Sequence, residues 1–216
     1  MSMVVSRVVS KDRPRRRRSD GAESYRRILE AAGEVAGMRG YDGTSIAAVS
    51  AASGLPASSI YHFFANKDEL LAAVITSSFG ELLSTVDLTE ESFAAGGVGL
   101  EQLLDAVAAT FLGNPRFLRL GLMLSLEQRP SEASARRAFL SARGEATGYL
   151  LRVIAARWPQ LRSADANLLA TYVMAGADGL FIAREIDHTV DLRRLFVLHI
   201  RAAVHLASEL LEDQAR

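Results

Sequence analysis

Residues 43–71, GTSIAAVSAASGLPASSIYHFFANKDELL, constrain this chain more than any other stretch, because caps and breakers cut them into short pieces at close intervals. Thr44 is placed to cap an Ala-rich helix with Ile46 and Val49 on one face, Gly54 supplies a left-handed break, and Pro56 restarts a helix of about two turns. Asn66 opens the next helix, and Glu69, three residues on, is placed to close a capping box. Two short helices across a tight turn, followed by a third, make a helix-turn-helix, whose second helix enters the major groove of DNA. The residues to examine there are Ala57, Ser58, Ser59, Tyr61 and His62. Ahead of them, Tyr25, Ile28, Leu29, Ala32, Val35 and Ala36 recur at helical spacing, which predicts an amphipathic helix over 23–39 that ends at Gly40.

This stretch resembles the tetracycline-repressor (TetR) family of transcriptional regulators. The resemblance is carried by RILEAAGEVAGMRGYDGTS, by the central Gly54-Leu55, and by Ile60-Tyr61-x-x-Phe64-x-x-Lys67-x-x-Leu70-Leu71. Pro56 stands where family members often have Ser or Thr, Ala48 where they have an acid, and Phe63 where they have His or Tyr. The rest of the chain fits the family in length and helical content without a sharp motif.

The chain has 216 residues, a formal net charge of +0 and a hydrophobic content of 49%. It can bury a sizeable core and is no bulk polycation, so affinity for nucleic acid has to come from local charge. Arg7, Lys11, Arg13, Arg15, Arg16, Arg17 and Arg18 stand against Asp12 alone, in a segment read as a flexible basic arm over 1–20 that follows the backbone or enters a minor groove. With no cysteine there is no disulfide, thiol redox sensor or Cys-ligated metal site. No signal-peptide core precedes the arginines, and no later run reaches the ~18 uncharged apolar residues of a membrane span, so the expected location is cytoplasmic.

Beyond the head, Leu70, Leu71, Val74, Ile75, Phe79, Leu82 and Leu83 extend the helix begun at Asn66. A Gly-rich acidic loop over 87–99 follows, then helices over 100–111, 116–127 and 131–157, one that starts at Ser163 or Asp165 and runs to about 186, and a last one over 191–211. No strand is indicated. The fold class is all-α: a three-helix head at 21–68 and a helical body at 69–216 that binds ligand and dimerises.

Lys67 lies in a first helical turn, where the helix dipole disfavours a cation, which points to an external phosphate. Thr44 is expected to cap its helix and touch the DNA backbone. The family resemblance implies the same backbone role for Tyr61. Base reading looks thin: Ala57 suits a thymine methyl, Ser58 and Ser59 suit several base edges, and His62 suits guanine, but no Arg, Asn or Gln offers a bidentate pair.

One short helix reads too few bases alone, so a homodimer on a palindromic operator is expected. Relatives dimerise through their last two helices; here that implies Tyr172, Gly176, Gly179, Leu195, Phe196, Ala203 and Leu206. The resemblance further implies a cavity for a small-molecule effector. Its candidate lining is Phe111, Met123, Leu126, Tyr149, Met174 and Phe181, with Asp178 and Asn167 as polar handles. The four histidines, His62, His188, His199 and His205, make no metal-ligand spacing, and no nucleophile elbow, P-loop or dinucleotide turn is present, so neither catalysis nor a cofactor is expected.

The leading expectation is a ligand-responsive DNA-binding regulator, a repressor released by an apolar molecule. The alternatives are an all-α enzyme on an apolar substrate and an architectural DNA-binding protein without ligand. A dimer that neutralises ~6–10 phosphates loses about 10³–10⁵ in affinity between roughly 50 and 200 mM salt. Deletion of residues 1–19 is expected to flatten that dependence in a fluorescence-anisotropy titration, and an unchanged slope would make the arginine run a bystander.

Overall fold

The computed structural model describes residues 13–85, 115–127 and 133–216. These form eight helices: α1 (Arg13–Gly43), α2 (Ile46–Ser53), α3 (Ala57–Phe63), α4 (Lys67–Thr85), α5 (Pro115–Glu127), α6 (Ala133–Arg157), α7 (Ser163–Ile186) and α8 (Leu192–Gln214). No strand occurs among the described residues. The loop expected at 87–99 and the helix at 100–111 lie outside them.

In α1 the buried residues Ile28, Ala31, Ala32, Val35 and Ala36 follow the 3.6-residue period. The helix begins at Arg13, earlier than the pattern suggested, so Arg15 to Arg18 lie on its opening turns. Arginine is a good helix former, and Pro14 stands in the first turn, where its missing N–H costs nothing. Gly40 breaks α1 as expected, with φ 68° and ψ −174°. A Cβ there would lie 2.7 Å from the Met123 methyl of α5.

The head core joins Ile28, Ala31 and Ala32 of α1 to Val49 of α2, Ile60 of α3, Phe64, and Leu70 and Val74 of α4. On the neighbouring side of α4, Leu71, Ile75 and Phe79 enter a second cluster with Ala36 and Tyr41 of α1, Leu118, Leu120 and Leu124 of α5, Phe139 of α6 and Phe181 of α7. Each fully buried side chain of this size contributes about 1.5–3 kcal/mol. A head boundary at residue 68 therefore meets a helix that belongs to both cores.

The body helices pack closely where glycine permits it. Gly121 of α5 receives the Phe139 ring, and Gly176 of α7 receives the His199 ring of α8, whose Nε2 lies 3.0 Å from the Val173 carbonyl oxygen. Farther along, Ile154 of α6, Leu169 and Ala170 of α7, and Ala203 and Ala207 of α8 close a third cluster. Between α7 and α8, Asp187 accepts bonds from the Thr189 hydroxyl and N–H at 2.7 and 2.8 Å, which hold its carboxyl below the usual range. Asp191 then caps α8 through the Arg194 N–H at 3.0 Å.

Gly121→Ala places a Cβ 1.9 Å from Phe139 and is expected to lower stability by about 1–3 kcal/mol. Gly144→Ala, in an exposed position within α6, is expected to raise it by about 0.4–1 kcal/mol. Urea unfolding of the two variants checks the contrast.

Candidate nucleic-acid interface

The turn between α2 and α3 is bonded from several sides. Gly54 takes φ 67° and ψ 16°, and its N–H donates to the Ser50 carbonyl. The Ser50 hydroxyl donates to the Leu55 carbonyl at 2.6 Å, and Arg27 of α1 donates to the Ser53 carbonyl at 2.6 Å. These bonds satisfy carbonyls that the end of a helix leaves open, and they set the angle of α3. That helix turns Ile60 inward and leaves Ser58, Tyr61 and His62 exposed, with Ala57 and Ser59 half-buried. Tyr61 is 57% exposed, so it is no core aromatic. Behind the helix, the Tyr25 ring meets Phe63 edge-on at 5.4 Å and stacks on Phe64 at 5.5 Å.

One local expectation is corrected. Ser45, not Thr44, caps α2, accepting the Ala48 N–H at 3.1 Å. Thr44 is 1% exposed and has no surface to offer a phosphate. Its N–H turns to the Tyr41 carbonyl because of the break at Gly40, and its hydroxyl supplies the Gly40 carbonyl at 2.7 Å in the amide's place. Lys67, read as seeking an external anion, donates to the Tyr41 carbonyl at 3.0 Å and lies 4.1 Å from the Tyr41 ring centroid. The negative end of α1 offsets the unfavourable start of α4. Asn66 accepts the Glu69 N–H at 2.9 Å as expected, while the Glu69 carboxylate closes its box on the Ala65 N–H at 3.0 Å.

The family described as bacterial regulatory proteins, tetR family, matches residues 28–74, from the middle of α1 into α4. Residues 28–74 thus form a tetR-family head, that of a DNA-binding transcriptional regulator. Solved structures extend the likeness of fold over most of the length. A candidate transcriptional regulator from Pseudomonas aeruginosa PAO1 superposes with a TM-score of 0.70 at 19% identity, over 89% of this chain and 94% of that one. A candidate TetR-family regulator from Mesorhizobium loti MAFF303099 gives 0.62 at 18%, over 86% and 97%. SmeT, the repressor of the Stenotrophomonas maltophilia multidrug efflux pump SmeDEF, gives 0.62 at 18%, over 86% and 91%. No curated protein matches the sequence.

The helical body places the expected pocket residues in different surroundings. Phe111 lies outside the described residues. Phe181 is buried beside Phe139 in the cluster around α4, Met123 reaches the head at Gly40, and Leu126 is 80% exposed. Tyr149 and Met174 are half-buried, the former with the Arg152 guanidinium 4.3 Å from its ring centroid. Asp178 is no free handle: Arg143 of α6 donates to both its oxygens, at 2.9 and 2.5 Å. Asn167 donates to the Ser163 carbonyl at 2.6 Å on the surface. Apolar character marked these positions, but it does not say which neighbour each one meets.

The expected dimer residues divide likewise. Tyr172 and Gly179 are exposed. Gly176 is filled by His199, Phe196 and Ala203 are buried within the protomer, and Leu195 and Leu206 are half-buried. On α7 the exposed large apolar residues are Leu168, Ile182 and Ile186 beside the expected Tyr172, in line with Ala175 and Gly179, and on α8 the exposed one is Leu198. Positions 168, 172, 175, 179, 182 and 186 alternate steps of four and three, the spacing of a helix–helix seam. The same period existed in the sequence, yet both sides of α7 are apolar, and the exposed side was not separable from the buried one.

Tyr61→Phe is expected to leave thermal stability unchanged and to weaken specific and scrambled DNA alike by about 1.5–3 kcal/mol, the range for a hydrogen bond to a charged group. Lys67→Ala is expected to lower stability itself by about 1 kcal/mol, because it removes the tie to Tyr41. Calorimetry and anisotropy on both variants separate the two roles.

Proposed function

We propose that this chain is a cytoplasmic homodimeric repressor that covers a palindromic operator and is released by a small apolar effector. The observation that carries the reading is the exposure, among the described residues, of both the α3 surface of Ser58, Tyr61 and His62 and the apolar seam of α7. An 18-residue window of α7 has a mean hydropathy of 1.3, high enough for a membrane-spanning helix, yet only 22% of it is buried within the protomer. Asp178 lies within α7 and pairs with Arg143 of α6, and ionisable groups along a lipid-spanning helix are costly, so a protein partner fits this face better than lipid. A second copy covers the seam and brings two reading helices to one duplex, with two-fold symmetry matched to an inverted repeat.

In this reading the head is 21–68 and the body 69–216. Tyr61 and the Arg15 to Arg18 run bind the DNA backbone, and Ala57, Ser58, Ser59 and His62 face base edges. Repression needs no chemistry; an effector that prefers a body conformation with wrongly spaced heads lowers operator affinity. SmeT, a repressor of similar fold, supports the sign of the effect. Selection of bound duplexes from a random pool tests the core of the proposal. An enriched inverted repeat supports it, and recovery of a lone half-site or of no consensus refutes the dimeric reader.

Ile182→Asp or Tyr172→Asp places an unpaired charge in the seam at a cost of several kcal/mol to association, so light scattering is expected to report folded monomers. Leu206→Asp, at a half-buried position packed against the third cluster, is expected to lower the stability of the protomer instead.

A further inference from the structure

We infer that Arg119 is the positioning residue that fixes the DNA-reading head against the helix carrying the dimer seam; this rests on the dimeric reading above. Arg119 lies on α5. Its Nη1 donates to the Gly37 carbonyl of α1 at 2.7 Å, and its Nη2 pairs with Glu185 of α7. Gly37 stands one turn before the break at Gly40, and Glu185 stands beside Ile186 of the seam. One turn further along α5, Met123 packs against Gly40. The other side of the head is pinned separately: Asp68 of α4 accepts the Ser134 and Ala135 N–H groups at the start of α6, at 2.8 and 3.0 Å.

Apolar packing holds α5 on α1 and on α6, and α7 reaches the same cluster through Phe181, but such packing tolerates sliding, whereas two directed bonds from one planar guanidinium set an angle. Arg119 therefore transmits the attitude of α7, and with it the arrangement of the dimer, to the head. A lysine carries the charge without the fork that reaches Gly37 and Glu185 together.

The absence of native cysteine allows a clean test. Ala51→Cys on α2 and Glu212→Cys on α8 carry spin labels, and labelled chains diluted into unlabelled protein report the head-to-body distance within one protomer. Arg119→Lys and Glu185→Gln are each expected to broaden that distance distribution while the far-ultraviolet circular dichroism spectrum stays that of the parent. On DNA, the parent is expected to prefer its selected palindrome over versions with the half-sites moved one base pair closer or farther. The variants are expected to lose this preference, with affinity for the selected palindrome falling about 5- to 150-fold and binding to a single half-site unchanged. An unbroadened distribution in both variants overturns the inference, as does broadening with the spacing preference intact. Failure of the parent to select any palindrome defeats the dimeric reading instead, and the distance measurement then still decides whether Arg119 holds the head.

Discussion

Leu70 and Val74 of α4 pack among the reading helices, while Leu71, Ile75 and Phe79, one step round the same helix, pack among those of the body. Successive residues on a helix are turned by about 100°, so adjacent positions serve two cores without competing for space. The consequence is mechanical. Head and body share a rigid rod, and a change in how α5 and α6 grip one side of that rod alters where the other side carries α3. Regulation of a DNA reader by its body requires such a shared element, because two independently packed domains on a loose linker would not transmit a small displacement.

Apolar burial supplies most of the adhesion at this junction, and a few polar contacts supply its direction. Asp68 capping α6, Lys67 on the end of α1, Arg27 on the end of α2 and Arg119 between α1 and α7 all place a side chain on a backbone group of another helix. Each contributes only about 0.5–3 kcal/mol net, but each would leave a partner unsatisfied if the helices shifted. Helix ends are the natural anchor points, since their carbonyls and amides lack partners within the helix.

Sequence patterns located what is decided within a turn or two of the chain. The end of α7, the Asp191 cap, the Asn66 start, the Gly40 and Gly54 breaks and the outward face of α3 follow from periodicity and capping chemistry. Thr44 and Ser45 illustrate the edge of that legibility: both hydroxyls suit a cap, and the choice between them is made by a carbonyl that the Gly40 break leaves open. Asp68 and Arg119 lay beyond it, because their partners Ser134 and Gly37 are 66 and 82 residues away and no local period encodes them. The dispersal of the expected pocket residues has the same origin. Composition reveals that Met123 and Phe181 are large and apolar, but the neighbour each one meets is a property of helix packing.

At Gly40 two demands fall on one position. Its φ of 68° with ψ near −174° is open essentially to glycine alone, and the Met123 methyl occupies the space a side chain would take. The two demands are unequal. The Met123 methyl is the far end of a flexible side chain and can swing aside, so α5 could make room for a Cβ. The backbone of α1 cannot: trimming Met123 leaves any other residue at Gly40 strained, and Met123 is free to vary while the codon at 40 is not.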